Sequence, residues 1–390
     1  MINVADVQEK IAMKKREEIL KKHPYSIWEG TDGKWHTYLP DEKKGRVHRK
    51  RNSEKEIQDL IVSFYKGEVE KPISFDDVYR KWRVIKDSGV SNNTIAKYKT
   101  DYKRYFQSSE FAQKGIKDIT AEDITFFMNV TIKQLKLCNK ACKTLFWYIK
   151  CVFESAKINH ILNELPTDGL SASKFYPICY ERKRPMDKIL VSNNEMKILY
   201  TKFNEDLEKT PEYIPIYALE LASLTGMRVG EISALRWDSI KNGKIVIDKS
   251  EKYDRITKEY FIDTTKTGKE REFPITTYIQ DLLDKIKKIE FQYGYICEWV
   301  FADQNGRIHA PVISSCIKNK CDQLGITQKG VHAFRRTLNS KMRMDGVPAV
   351  VAASLLGHSE EVNEKYYTFD ITTDNEKCSI IEKANSQICV

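Results

Sequence analysis

The stretch 330–370 constrains this chain more than any other. It opens G-V-H-A-F-R-R-T, continues with helical periodicity, and closes L-L-G-H-S-E-E-V-N-E-K-Y-Y-T. The pattern predicts helices over 332–344 and 347–356, the second ended by Gly357 in a left-handed conformation. A short last element then holds Tyr366 and Tyr367. The stretch holds His332, Arg335, Arg336, His358 and the adjacent tyrosines within forty-one residues. Each residue alone is ordinary. Together they are the side chains a tyrosine needs if it is to attack a phosphodiester.

The 390 residues allow two or three domains, each with its own core. A hydrophobic fraction of 41% argues against disorder. The net charge of +10 favours a polyanionic partner, although basicity alone also fits a merely soluble protein. The nine cysteines contain no C-x-x-C, and the pairs Cys138/Cys142 and Cys316/Cys321 have no histidine nearby to complete a zinc set. They read as reduced thiols, and no metal is expected. Residues 1–22 are charged throughout, unlike a signal peptide, and the longest apolar run, 214–227, is too short for a bilayer and contains Glu220. A soluble, cytoplasmic protein without membrane contact is expected.

Residues 1–72 read as a small unit. A charged helix over 4–22 precedes three short strand candidates, 25–29, 34–39 and 45–50, the first two joined by Gly30-Thr31-Asp32-Gly33. A helix follows, with Ser53 and Glu56 as a capping box, an apolar stripe of Ile57, Leu60, Ile61 and Phe64, and Gly67 as its stop. The third strand is unusually basic: Lys43, Lys44, Arg46, Arg49, Lys50 and Arg51 fall within nine residues. A solvated face and a ribbon laid on duplex DNA are about equally good readings of that run.

Lys71-Pro72 marks a boundary, and 73–180 reads as all helix. Phe75, Val78, Tyr79 and Trp82 form one apolar stripe; Leu145, Phe146, Ile149 and Phe153 form another. Between them, Tyr98, Tyr102 and Tyr105 alternate with Lys97, Lys99, Lys103 and Arg104, a pattern that could follow a phosphate backbone or simply be solvated. Residues 181–192 begin E-R-K-R-P and read as a linker.

The largest unit is expected over 193–375, with a tail at 376–390. Thr225-Gly226-Met227-Arg228-Val229-Gly230-Glu231 breaks between two helices, its glycines letting the chain turn around Arg228. Strands are predicted at 244–247, 259–263 and 271–275. The turn between the last two, T-T-K-T-G-K, would present Lys266 at a hairpin tip.

In chain order these pieces are T-G-M-R-V-G-E, T-K-T-G-K-E-R-E-F-P-I, H-A-F-R, L-G-H-S, and a tyrosine nine residues beyond that histidine. The sequence resembles the tyrosine recombinase (phage integrase) family over the whole of this last domain. The first two units resemble, by architecture alone, the arm-type DNA-binding domain of conjugative-transposon and phage integrases and the helical, SAM-like core-binding domain of the family. The expected fold is therefore multidomain: a three-stranded sheet with a helix, an all-α unit, and a mostly α catalytic domain with a small sheet.

The resemblance implies catalytic roles for Arg228, Lys266, His332, Arg335, His358 and Tyr367, with Glu231 orienting Arg228. The chemistry agrees. Two guanidiniums can hold the non-bridging oxygens of a scissile phosphate and stabilise its transition state. A phenol titrates near 10, so nearby cations and a base such as His332 would ease its deprotonation. Lys266 is the implied acid for the leaving 5′-oxygen; Lys269 competes for that role, and the K-x-G spacing of the family selects Lys266. A 3′-phosphotyrosyl bond conserves the phosphodiester energy, so neither metal nor nucleotide cofactor is expected, and the sequence has no P-loop or H-E-x-x-H. Consecutive helical residues point about 100° apart, so only one tyrosine of the pair can serve; the gap from His358 favours Tyr367 and leaves Tyr366 to packing. Arg336 is read as a DNA contact.

The resemblance further implies a site-specific recombinase, most like a conjugative-transposon integrase, that integrates and excises a mobile element in bacterial cytoplasm. It would act as a homotetramer on double-stranded DNA with core and arm sites, through a Holliday junction. A small excisionase or DNA-bending protein is an expected partner, and the tail is expected to dock on a neighbouring protomer. Phage integrase, type IB topoisomerase and a non-catalytic DNA-binding regulator are the competing readings; the basic arm argues against the second and the intact residue set against the third.

Overall fold

The computed structural model describes all residues except 1–3, 42–44, 70–71, 182–184, 266–267, 373 and 389–390, and describes the backbone alone at 4–12, 66–69 and 387–388. The chain divides into two compact units, Met1–Glu181 and Arg182–Val390.

The first unit opens with α1, Val4–Lys22. Strands β1 (Trp28–Glu29), β2 (Trp35–Asp41) and β3 (Gly45–Arg51) form an antiparallel sheet in that order. The β1 strand is shorter than its sequence suggests, because only Trp28 and Glu29 find partners on β2. Thr37 and Leu39 point inward, beneath α2 (Glu54–Val69), whose Ile57 and Ile61 are fully buried. The start of α2 is a variant of the expected box. The Glu56 N–H donates to Ser53 Oγ, but the Glu56 carboxylate accepts from the Asn52 N–H. Gly67 does not stop the helix, which continues to Val69. A helical glycine costs only ~1 kcal/mol against alanine, and the buried stripe outweighs that.

The pleat of β3 separates its cations. Register pairs Arg46 with Pro40, His48 with Tyr38 and Lys50 with His36 on one face, and Arg49 with Thr37 and Arg51 with Trp35 on the other. On the first face Arg46 lies 4.5 Å over the Tyr38 ring, and Trp28, His36 and His48 stack.

The helical part contains α3 (Phe75–Asp87), α4 (Asn92–Tyr105), the single turn α5 (Glu110–Gln113), α6 (Ala121–Leu135) and α7 (Asn139–Ile158). Ser74 with Asp77 and Thr120 with Asp123 are complete capping boxes at α3 and α6, each contributing ~1 kcal/mol. One aromatic-rich core joins these helices, and Tyr98 and Tyr105 belong to it.

The second unit begins with the short α8 (Met186–Ile189) and α9 (Asn193–Lys209). Next comes α10 (Ile214–Thr225), apolar and buried on nearly every side, around which α12, α13 and α14 pack. It ends at Gly226, φ +64°, where a Cβ would lie 2.9 Å from Leu356 Cδ2. The turn delivers Arg228 to the start of α11 (Val229–Ser233).

Five strands follow: β4 (Ile240–Lys241), β5 (Lys244–Ile247), β6 (Lys249–Tyr253), β7 (Tyr260–Thr264) and β8 (Arg271–Pro274). They correct the sequence reading in two ways. The polar β6 was not foreseen; Glu251 is buried there through ion pairs to Arg307 (3.0 Å) and His309 (2.6 Å), both distant in sequence. Moreover, β7 pairs with β6 while β8 pairs with β5, in separate sheets. The 264–271 connection is a crossing between sheets, not a hairpin tip. It follows burial: Phe273 on β8 enters the core, whereas most of β7 faces solvent.

The remainder is α12 (Thr277–Tyr293), the β9 (Ala302–Asp303) and β10 (Gly306–Arg307) pair, α13 (Ala310–Gln323), α14 (His332–Met344), α15 (Ala349–Leu356), α16 (Glu360–Tyr367) and α17 (Asp374–Ile388). No described helix is long and apolar enough to cross a membrane.

Candidate active site

Arg228 caps α11. Its own N–H donates to Glu231 Oε2 (2.8 Å), and its Nη1 donates to Glu231 Oε1 (2.7 Å). Its Nη2 reaches the Gly357 carbonyl at 3.2 Å. Glu231 is only 2% exposed. Burial alone would raise its carboxyl pKa, but the hydrogen bonds and charge of Arg271, with those of Arg228, outweigh burial and bring it down to about 2.

Arg335, on the first turn of α14, is fully buried. Its Nε donates to His358 Nε2 (3.0 Å), its Nη1 to the Gly226 carbonyl (2.8 Å), and its Nη2 to the Leu356 carbonyl. Burial and the nearby Arg228 lower it to about 9, still a cation at neutral pH.

His358 follows Gly357, which ends α15 with φ +67°. Burial, then Arg335 and Arg228, push His358 down to about 3. The ring is therefore neutral, and because Nε2 accepts from Arg335 the proton sits on Nδ1. Among the described residues, that buried Nδ1 has no hydrogen-bond partner.

Tyr367 ends α16. Its hydroxyl is 3.0 Å from His332 Nε2, and its ring stacks on His358 at 3.9 Å and lies 5.4 Å from the Arg335 guanidinium. His332 keeps a solvent-exposed edge, yet desolvation by its neighbours and the charges of Arg335, Arg336 and Arg228 lower it to about 4, so it too is neutral. Tyr366, by contrast, is 54% exposed, which corrects the expectation that it packs. Lys266 lies outside the described residues, as do Lys43 and Lys44. Lys269 is exposed, and its carbonyl accepts from Thr265 Oγ1 at 2.9 Å.

Residues 190–371 match the phage integrase family model. A tyrosine recombinase XerC-like protein of Caldanaerobacter subterraneus subsp. tengcongensis is 24% identical over 326 residues, 75% of this chain and 77% of that one. Residues 190–371 form a phage integrase family domain. Transposase B from transposon Tn554 of Staphylococcus aureus is 27% identical over 236 residues, 57% of this chain but only 34% of that longer protein. Two solved structures share the fold. The Tn1549 transposon integrase in complex with a circular intermediate DNA has a TM-score of 0.61 at 15% identity, covering 80% of this chain and 99% of that one. A lambda integrase tetramer bound to a Holliday junction has a TM-score of 0.57 at 17% identity, covering 90% and 98%.

Within the integrase-family domain, four further residues hold the site together and were not foreseen. Arg271 takes both oxygens of Glu231; its signal was a charged residue in phase with the inward Phe273. Asn339 on α14 and Asn363 on α16, both fully buried, exchange hydrogen bonds at 3.2 and 2.7 Å. Ser340 Oγ donates to the Tyr367 carbonyl at 3.1 Å. These bonds fasten the tyrosine helix to the histidine–arginine helix. Arg336 is half-buried on α14 and faces His332 electrostatically. The other DNA-contact candidates lie in the first unit: Arg46, Arg49, Lys50, Arg51, Lys97, Lys103 and Arg104 are all exposed, with Lys97 paired to Asp101 and Arg104 resting on Tyr105. No group of three or more His, Cys, Asp or Glu suited to a metal occurs among the described residues.

Proposed function

We propose that the chain is a site-specific DNA recombinase that integrates and excises a mobile element, most like a conjugative-transposon integrase. One observation carries the reading: the Tyr367 hydroxyl is hydrogen-bonded to a neutral histidine and its ring lies against Arg335 and His358. The Tyr367 oxygen attacks the scissile phosphorus as the P–O5′ bond breaks. Its proton passes to His332 Nε2, which is free to accept it because the ring is neutral. Arg228 and Arg335 stabilise the charge on the non-bridging oxygens, a kind of interaction whose loss costs a ~10²–10³-fold drop in rate. The His358 Nδ1–H supplies another donor. Lys266 protonates the departing 5′-oxygen. The product is a 3′-phosphotyrosine with a free 5′-hydroxyl, and the reverse reaction with the 5′-end of another strand exchanges strands.

Arg335 has no exposed surface, so the phosphate reaches it once the Tyr367 and His358 rings shift aside. That movement belongs to DNA binding. In solution we expect four protomers on two duplexes, residues 1–72 on arm sites, residues 73–180 with the catalytic domain on core sites, and residues 181–192 as the linker. The tail binds a neighbouring protomer, and a small excisionase or DNA-bending protein sets direction. The location is the bacterial cytoplasm.

The test uses nicked suicide duplexes tiled across the DNA flanking the chain's own gene. Wild-type protein and Tyr366→Phe should form a covalent adduct stable to denaturation, and Tyr367→Phe should form none. Absence of any wild-type adduct would remove the enzyme reading. An adduct lost in Tyr366→Phe but kept in Tyr367→Phe would reassign the nucleophile. Relaxation of supercoils without paired-site recombination would favour a type IB topoisomerase.

A further inference from the structure

The C-terminal end of α15 gathers three arginines from three different elements. Arg271 Nε donates to the Leu355 carbonyl (3.1 Å), Arg335 Nη2 to Leu356, and Arg228 Nη2 to Gly357 (3.2 Å). These are consecutive carbonyls at a helix end, where the backbone has no intrahelical donors left and carries partial negative charge. Two of the three arginines belong to the proposed phosphate clamp. The third, Arg271, does not: its Nε is on Leu355, and its Nη1 and Nη2 are on Glu231 Oε1 and Oε2 at 3.0 and 2.6 Å. Its side chain is 9% exposed. Gly357 packs so closely against it that a Cβ there would stand 3.0 Å from Arg271 Cδ.

We infer that Arg271 is a positioning residue for strand cleavage, fixing Glu231 beneath Arg228 and locking the carbonyl end of α15 that sets His358. This rests on the proposed function. The physical argument is one of shared constraint. Glu231 binds Arg228 through both its backbone and its side chain, so the direction of Arg228 depends on the carboxylate plane. That plane is set from the other side by the bidentate fork of Arg271. The same guanidinium holds the residue two positions before Gly357, and Gly357 in turn accepts from Arg228. Arg271 therefore closes a ring through Arg228, Glu231 and the α15 terminus. A lysine can supply the charge at this position but lacks the planar fork that takes both carboxylate oxygens in parallel while Nε reaches the carbonyl.

The experiment uses the flanking duplex that traps wild-type protein, with full-length Arg271→Lys, Arg271→Met, Glu231→Gln and the Arg271→Met/Glu231→Gln double variant. Adduct rate at saturating DNA, DNA affinity and thermal midpoint are measured for each. Arg271→Met should lose adduct rate on the order of a hundredfold, the scale of a misplaced reacting group, with affinity within about threefold. Arg271→Lys should recover part of the rate. Because both residues act on Arg228 as one unit, the double variant should be no slower than the slower single variant. If Arg271→Met fails to fold, Arg271→Lys carries the comparison: wild-type rate in that folded variant overturns the proposal. Multiplicative losses in the double variant, or a rate loss that tracks affinity, overturn it as well. A wild-type chain that forms no adduct fails differently, since that removes the recombinase reading itself.

Discussion

At the scale of single residues, the site works by forcing groups into chosen charge states. Glu231 is a carboxylate at any physiological pH because two arginines face it. His332 and His358 are neutral because they are desolvated beside cations, which in the proposed mechanism leaves one free to receive the Tyr367 proton and the other with an N–H to donate. The sign of the resulting pH dependence is fixed. A histidine held well below its unfolded value near 6.5 gives stability that is present above that value. The stability is lost as pH falls toward the folded values of about 4 and 3, because the unfolded chain then binds protons the native site refuses. Thermal midpoints should therefore fall as pH drops from about 6.5 toward 4. His358→Asn should flatten that fall, and an unchanged slope would contradict a neutral His358.

Among elements, the decisive contact is the fastening of α16 to α14. Asn339 and Asn363 are buried and satisfy each other, and Asn339 Nδ2 also donates to Thr368 Oγ1 at 3.2 Å. Replacing one asparagine by leucine leaves one buried amide atom of the other without its partner, at a cost of ~1–3 kcal/mol. Replacing both should cost less than the sum of the single changes, and denaturant unfolding of the three variants measures this. Each single variant should also slow adduct formation, since the tyrosine rides on α16. Much of the helical order was legible in periodicity and caps, and α14 begins and ends where its pattern does. The placement of β7 and β8 in separate sheets was not legible. Their pairing depends on where Phe273 finds its core and on Thr265 donating to the Asp248 carbonyl at 3.1 Å, which local pattern does not encode.

Over the whole molecule, net charge and the exposed helix α17 bear on the proposed DNA binding and assembly. The net charge of +10 predicts DNA affinity that falls steeply with salt. Neutralising Arg46 and Lys50 together should reduce the salt slope by up to ~2 if each contacts a phosphate, read from binding isotherms at several salt concentrations. Every described side chain of α17 is exposed, Ile380 and Ile381 at 59% and 58%. Removing 374–390 should thus leave the thermal midpoint of the isolated chain nearly unchanged while impairing tetramer assembly on DNA, as sedimentation would reveal. A large loss of midpoint would mean that the helix folds back on its own domain.

Residue type and order along the chain determined the chemistry. The ordered motifs around Arg228, His332, Arg335, His358 and Tyr367 resemble the tyrosine recombinase family, and that resemblance implied the reaction. Tertiary structure alone decided how those groups are held. The burial of Arg335, the Asn339–Asn363 pair and the place of Arg271 all depend on contacts between segments from about 20 to more than 100 residues apart. Such contacts satisfy buried donors and acceptors one by one. Which donor meets which acceptor is settled only when the helices pack.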